Sequence, residues 1–487
     1  MIFNTTLTRI FHTARIFVRA VFNSVFNKNI CILVLIFSAA YLTGLLWFER
    51  ISSNRNFFYT LAEVVRPAPV LPAGSELPFV EPKRIVTGFA NRSYTVDYLT
   101  EGSPAAHPSF AALRSAIDQA DYTGTSALDW PTLLSSASFL LDYPFRVPSV
   151  LIDGAWNTRA AAITRYVPGF CAIVIAPGIT SADGTTVTFV DSAQTKAHHF
   201  RLDDETLRAM LRTEIINAQS QTATISYSAS SEVADRMFRG NAFIPVFSGD
   251  LYYYTPLRLF NPYAMESGYV RISSILPLIS AYFQAPAAIV SKANPGEYIF
   301  SDEHTIVRFC HNNILEYSNY RTTRQTRDLT PAEAYAVARD FIRGDTSLGG
   351  RVYLTDFAQE YGSFVFSFGL ATQGFPVKLP GTLRQQHGLA AHAQVTVRGG
   401  IVSNYVKWAM ALTTSPGHRR IASLGFFGAY DNILDTRAAA GQPTITAPYV
   451  NRASLVFYPD PTSSDPVELA WYLRLDGISY VVPTTTR

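Results

Sequence analysis

ICILVLIFSAAYLTGLLWF, Ile30 to Phe48, runs for nineteen residues without a charge. At about 1.5 Å per helical residue it reaches about 28 Å, close to the thickness of a bilayer's hydrocarbon core, so it reads as a transmembrane helix whose surroundings are the lipid bilayer. Lys28 and Asn29 end the apolar run on one side, Glu49 and Arg50 on the other, and Tyr41 and Trp47 supply rings suited to the interface. Segment 1–29 holds Arg9, Arg15, Arg19 and Lys28 with no Asp or Glu, which places it in the cytoplasm and the bulk of the chain outside. Arg50, Arg55 and Arg66 oppose this, but a long polar domain is translocated largely regardless of its charge. Ser38-Ala39-Ala40 also resembles a cleavage site, so a removed signal peptide competes; the run continuing through Leu45, Leu46 and Phe48 favours an anchor. Within the span, Ala40 and Gly44 form a small-xxx-small pair that would let a partner's helix approach closely, although small residues are common in spans that touch nothing.

Outward from the span, Ile10, Phe11, Ala14, Phe17, Val18, Val21, Phe22 and Val25 keep one apolar face, as an interfacial helix or an extension of the membrane helix would. On the other side, RPAPVLPAGSELPFVEPK, Arg66 to Lys83, is a proline-rich spacer. Most of the 487 residues lie beyond it, too many for one core. A hydrophobic content of 48% with 33 Phe and 26 Tyr argues for folded domains, and a net charge of +3 without Lys/Arg stripes gives no case for nucleic acid as a partner. Of three cysteines, Cys31 lies in the span, leaving Cys171 and Cys310 as buried thiols or one disulfide.

The outer chain predicts α+β structure. RIVTGFANRSYTVDYL, FCAIVIA, TTVTFVDS and AHHFRL read as strands; Ser109 to Ala120, Trp130 to Phe139 and Asp203 to Gln219 read as helices. DLYYYTPLRLF is strand-like, and Ser273 to Phe283 reads as a helix. YIFSDEHTIVRFCHNNILEYSNY is a meander turning at Ser301-Asp302-Glu303 and His311-Asn312-Asn313. After a polar connector, Arg321 to Thr330, Thr330 caps a helix with Pro331 first and Glu333 third, ending at Gly344. The strand-rich remainder predicts one helix on an antiparallel sheet, with Gly399-Gly400 as a hairpin turn.

Chemistry is sparsely signalled. His198-His199 near Asp203-Asp204, and Asp302-Glu303-His304 with His311, are the densest sets of metal-ligand types, but neither has metal-site spacing, and adjacent strand histidines face opposite ways. No GxSxG elbow or phosphate-binding glycine loop occurs. Tyr430-Asp431-Asn432 matches one penicillin-binding-protein element, but the companion S-x-x-K and K-T-G are missing. Tyr252-Tyr253-Tyr254 with Tyr263 reads either as a stacking platform or as rings alternating into a core.

Asn313 to Tyr317, the helix Ala332 to Arg343, the strand pair ending Gly374-Phe375-Pro376-Val377, the Val395 to Tyr405 hairpin and the closing Trp471 to Val482 hairpin resemble the YycH/YycI family. These are membrane-anchored regulators of the essential cell-wall sensor histidine kinase in Gram-positive bacteria. The order of parts matches over nearly the whole chain, specific residues mainly from Tyr298 to Tyr405. The resemblance implies a non-enzymatic regulator without metal or cofactor, with a sensor histidine kinase and a sibling YycI-like protein as partners. The expected organisation is a cytoplasmic segment 1–29, a span 30–48, a juxtamembrane segment and connector 49–83, and three extracytoplasmic α+β domains at 84–224, 225–330 and 331–487. The alternative is an anchored envelope enzyme or glycan-binding protein, which loss of activity on replacing His198, His199, Asp302 and His304 together would favour.

Overall fold

The computed structural model describes most of residues 80–484, with 98–106, 114–118, 154–160, 221–225, 247–252, 265–269, 284–288, 322–328, 384–388, 442–447 and 460–465 the longer stretches outside the description, so the middle of the helix expected from Ser109 to Ala120 lies outside it; before residue 80 it describes only Ser38. The expected span, its Ala40–Gly44 pair, the cytoplasmic segment and nearly all of both connectors therefore lie outside the described residues. Among the described residues no helix is long and apolar enough to cross a membrane. The fold below is that of residues 71–282 and 291–487, which form one compact unit.

The architecture is mixed α+β, carried by two large sheets. The first comprises β1 (Arg84–Gly88), β2 (Tyr94–Asp97), β3 (Asp121–Ala127), β4 (Ser138–Pro148), β5 (Gly169–Pro177), β6 (Thr185–Asp191), β7 (Lys196–Leu202), β8 (Ser226–Ala229) and β9 (Phe243–Val246), in the order β3-β7-β6-β5-β4-β1-β2-β8-β9. Its pairings are all antiparallel. Helix α1 (Glu205–Ser220) buries Leu207, Leu211 and Ile215, packing on β5 and β1, and Asp204 Oδ1 accepts from the Leu207 amide at 3.0 Å to close its first turn. A core cluster of this sheet joins Val86, Tyr94, Leu140, Val174, Tyr227 and Phe243 with Leu134.

The chain then adds β10 (Tyr253–Tyr254), β11 (Leu257–Phe260), α2 (Ile272–Ser280), β12 (Val290–Asn294), β13 (Glu297–Ser301), β14 (Thr305–Cys310), β15 (Ile314–Asn319) and α3 (Pro331–Gly344). There follow β16 (Arg351–Glu360), β17 (Ser363–Thr372), β18 (Phe375–Val377), β19 (Ala393–Arg398), β20 (Ile401–Trp408), β21 (Ala411–Thr414), β22 (Arg419–Arg420), α4 (Phe426–Ala439), β23 (Val450–Phe457), β24 (Leu469–Leu475) and β25 (Ile478–Pro483). The second sheet runs β12-β13-β14-β15-β20-β19-β17-β18-β23-β24-β25, with β16 also on β17. Strand β17 is its spine. One edge pairs with β16 along its whole length; the other pairs with β19 from Phe364 to Phe368 and with β18 from Leu370 to Thr372. The sheet forks at Gly369.

Each branch has its helix. The alanine-rich face of α3, with Ala334, Ala338, Tyr335 and Ile342 buried, comes close to β17, β19 and β20. Its expected cap forms: the Thr330 side chain accepts from the Glu333 amide at 3.3 Å, and Glu333 Oε2 accepts from the Thr330 amide at 2.9 Å. On the other branch α4 buries Phe426, Ala429, Tyr430 and Ile433 against β24 and β25, around a fully buried Trp471 whose indole donates to the Leu424 carbonyl at 2.8 Å.

Several local expectations are met in place. The meander forms with its two turns, and the hairpin glycines Gly399 and Gly400 take φ of 57° and 85°. Three differ. The helix expected from Trp130 to Phe139 is one turn, Trp130–Leu133, because Ser138 and Phe139 are taken by β4. Helix α4 was not expected: Gly428 and Asp431-Asn432 look like turn residues, yet Phe426, Ala429, Tyr430 and Ile433 repeat at helical spacing and are buried. The segment 225–330 divides between sheets: β8 and β9 complete the first, β12 to β15 begin the second, and β10 and β11 pair with β22 and β21.

Candidate functional site

The fork of β17 opens a cleft. β19 leaves β17 at the Phe368–Ala393 pair and β18 joins it at Leu370–Val377, so the residues flanking the gap are His392, just before β19, and Lys378, just after β18. Gly369 lies between the two pairings, opposite Tyr353 on β16. A Cβ there would meet Thr355 Cγ2 at 2.7 Å and the Tyr353 ring at 3.1 Å, so glycine is what lets these side chains lie across β17. The cavity is about 370 Å³, within the range of small-ligand sites. Tyr353, Asp356, Lys378, His392, Arg452 and Tyr472 line it from the second sheet and Pro144 from the first, where β4 packs on β16.

Its electrostatics are cationic. Arg452 makes no ion pair among the described residues, and Lys378 Nζ is 4.2 Å from the centre of the Tyr472 ring. Behind them Lys83 is buried; burial first, then the charges of Arg452 and Arg84, push its ammonium well below the usual lysine range, with Asp142 acting the other way. Among the described lining residues Asp356 is the one acid, and it is exposed. His392 is 3% exposed, and burial, with Lys378 adding to it, pushes its imidazole down to about 3. It is neutral at physiological pH. Its Nε2 is buried without a hydrogen-bond partner, an arrangement that costs stability unless something else meets it.

A second polar cluster is closed. Asp345 follows α3 and is 6% exposed at its side chain; its Oδ2 accepts from Lys407 Nζ at 2.6 Å, Tyr405 Oη at 2.7 Å and Tyr282 Oη at 2.9 Å. Its Oδ1 accepts from the Ser347 amide at 3.1 Å and hydroxyl at 2.5 Å, and Lys407 also donates to the Ser347 hydroxyl. Burial alone would raise the Asp345 carboxyl, but the Lys407 charge and these donors hold it below the usual carboxylate range. The members of this cluster satisfy one another. It pins the end of α3 to β20 and leaves no group pointed at a ligand.

The residues singled out in the sequence do not converge. His198 and His199 sit on β7 and bond within the first sheet, His198 Nδ1 to Thr125 at 3.0 Å and His199 to Thr188 at 3.1 Å and Ser126 at 2.9 Å. Asp302 is in the second sheet, where its carboxylate accepts from the His304 and Thr305 amides to hold a turn. Among the described residues no group of three metal-ligand types comes together. Cys171 and Cys310 are both free thiols, and burial pushes Cys171 up to about 12, so neither is a ready thiolate. Tyr254 is buried in a core rather than displayed. Lys378, His392 and Arg452 were not anticipated, since each stands alone in its stretch. Lys407 carries a faint signal, two residues after Tyr405 and thus on the same inward face of a strand.

No family model matches the chain, and no curated protein matches it. Among solved structures, the Bacillus megaterium YpeB C-terminal domain is similar over 42% of this chain and 87% of that domain, with 11% identity and a TM-score of 0.23. Agreement at that level transfers neither fold nor function.

Proposed function

We propose that the chain is a membrane-anchored, non-enzymatic regulator of a sensor histidine kinase controlling cell-wall homeostasis, working through its span and its extracytoplasmic α+β body with a sibling YycI-like protein. The charge-free run Ile30 to Phe48 supports the anchor, and the family resemblance supports the partners. The observation that carries a binding role for the outer body is the junction of its sheets. Pro144 of β4 and Lys378 and Arg452 of the second sheet line one cleft, so an occupant touches both sheets at once. An occupant that contacts two arrangements of the sheets unequally shifts their balance, and a regulator needs that inequality to transmit anything.

The test is crosslinking of the full chain in its own membrane, with partners identified by mass. Recovery of a sensor histidine kinase, weakened by Gly44→Leu but not by Leu35→Ile, is the expected result, because leucine fills the small-residue groove and leaves insertion intact. Recovery of no kinase would end the regulator reading. A reporter active only outside the membrane should work when fused after Arg487 and fail when fused before Phe11; the reverse would overturn the compartment.

A further inference from the structure

We infer that the cleft at the fork of β17 is a binding site for a small ligand carrying a carboxylate or phosphate group. Arg452 and Lys378 meet the anion. Charge and shape converge on this. Among the described residues the lining carries two cations, Arg452 and Lys378, against one exposed acid, Asp356. A cationic ligand would meet like charges at close range; an oxyanion meets charge-assisted donors, and arginine's planar fork matches carboxylate and phosphate oxygens in pairs. His392 is also among the lining residues, and its Nε2 is a buried polar atom that no described group satisfies.

Shape refines the class. Tyr353 and Tyr472 are among the walls, and the Lys378 ammonium is already held over the Tyr472 ring, which fixes it before a ligand arrives. Rings of this kind favour a ligand with a planar or sugar-like body beside its acid group. Exposed Asp356 would repel a second negative charge at its side of the cleft, so one acid group with an uncharged remainder fits best. The inference stands apart from the regulator reading, since its test requires no kinase.

The experiment is calorimetric titration of the full chain in detergent at constant ionic strength. Phenyl phosphate and N-acetylphenylalanine serve as acid probes, and phenyl glucoside serves as the uncharged control. At least one acid probe should bind saturably, one per chain, and the stronger of the two identifies the acid. Arg452→Gln should weaken that binding at least tenfold and Lys378→Gln severalfold, while Arg474→Gln, on the edge hairpin, leaves it unchanged. Near-ultraviolet circular dichroism of each variant shows that its fold is retained; Arg452 and Lys378 are only half-buried, which favours retention of the fold in their variants. Saturable binding by neither acid probe, affinity unchanged in folded Arg452→Gln, or glucoside binding as tight as the acids would each overturn the assignment.

Discussion

The side chain of Lys407 is fully buried, and what makes that tolerable is Asp345 at 2.6 Å with Tyr405, Tyr282 and Ser347 filling the remaining bonds. Removing one partner leaves a charge without compensation in a medium that solvates it poorly, so Asp345→Asn or Lys407→Met alone should cost about 3–5 kcal/mol. The double variant should recover much of that loss, because a neutral pair has little to desolvate. Urea unfolding of all four species measures the coupling, and strict additivity would show that the pair is not a unit. His392 behaves differently under acid. Its folded value of about 3 lies below the ordinary histidine value of about 6.5, so the unfolded chain binds a proton that the folded chain refuses. Stability from this group is complete above pH about 6.5 and is lost as pH falls toward 3, by about 1.4 kcal/mol per pH unit. The charged groups lining the same cleft, Lys378, Arg452 and Asp356, are present in both proteins when wild type is compared with His392→Gln. The variant's unfolding midpoint should therefore fall less between pH 6.5 and pH 4.5; parallel curves would mean His392 is not the acid-sensitive group.

At the scale of elements, α3 is the part most fully specified by its own residues. Thr330, Pro331 and Glu333 set its start, and its alanines make a face flat enough to lie close on β17, β19 and β20. Thr330→Ala removes the acceptor for the Glu333 amide and should cost about 1 kcal/mol, while Thr330→Ser should cost only a few tenths. Equal losses in both would assign the effect to the threonine methyl group rather than to the cap. The contrast with α4 is instructive. Its N-cap residue is Gly425, without a side-chain cap, and its helical state rests on the burial of Phe426, Tyr430 and Ile433 against the closing hairpin. Local residues permit that helix; packing selects it.

At the scale of the molecule, the two sheets are tied by few but specific contacts. Arg351 of β16 donates to the carbonyls of Lys83 at 3.2 Å and Pro82 at 3.1 Å and lies 3.6 Å from Glu81, just before β1, while α3 packs on the short helix Val150–Asp153. Arg351→Ala leaves three acceptors at this junction without that donor and should cost about 2–3 kcal/mol. Hydrogen exchange should then quicken in β1 and at the β4–β16 contact before it quickens in β24. Uniform acceleration across both sheets would mean that the junction has no stability of its own.

What the sequence determined by itself is what neighbouring residues decide together. The meander's strands and turns, the Gly399-Gly400 hairpin, the capping box of α3 and strands such as β1, β5, β6 and β7 follow from alternation and turn chemistry, which act over a few residues. Which strand pairs with which was not legible. β8 and β9 could have seeded a middle domain but are captured by the exposed edge of β2, and β17 shares one edge between β19 and β18, because strand pairing is won by long-range burial and leaves no local mark. The cleft inherits that illegibility. Lys378, His392 and Arg452 come from three separate stretches, and only the departure of β19 and arrival of β18 on either side of Gly369 brings them around one space.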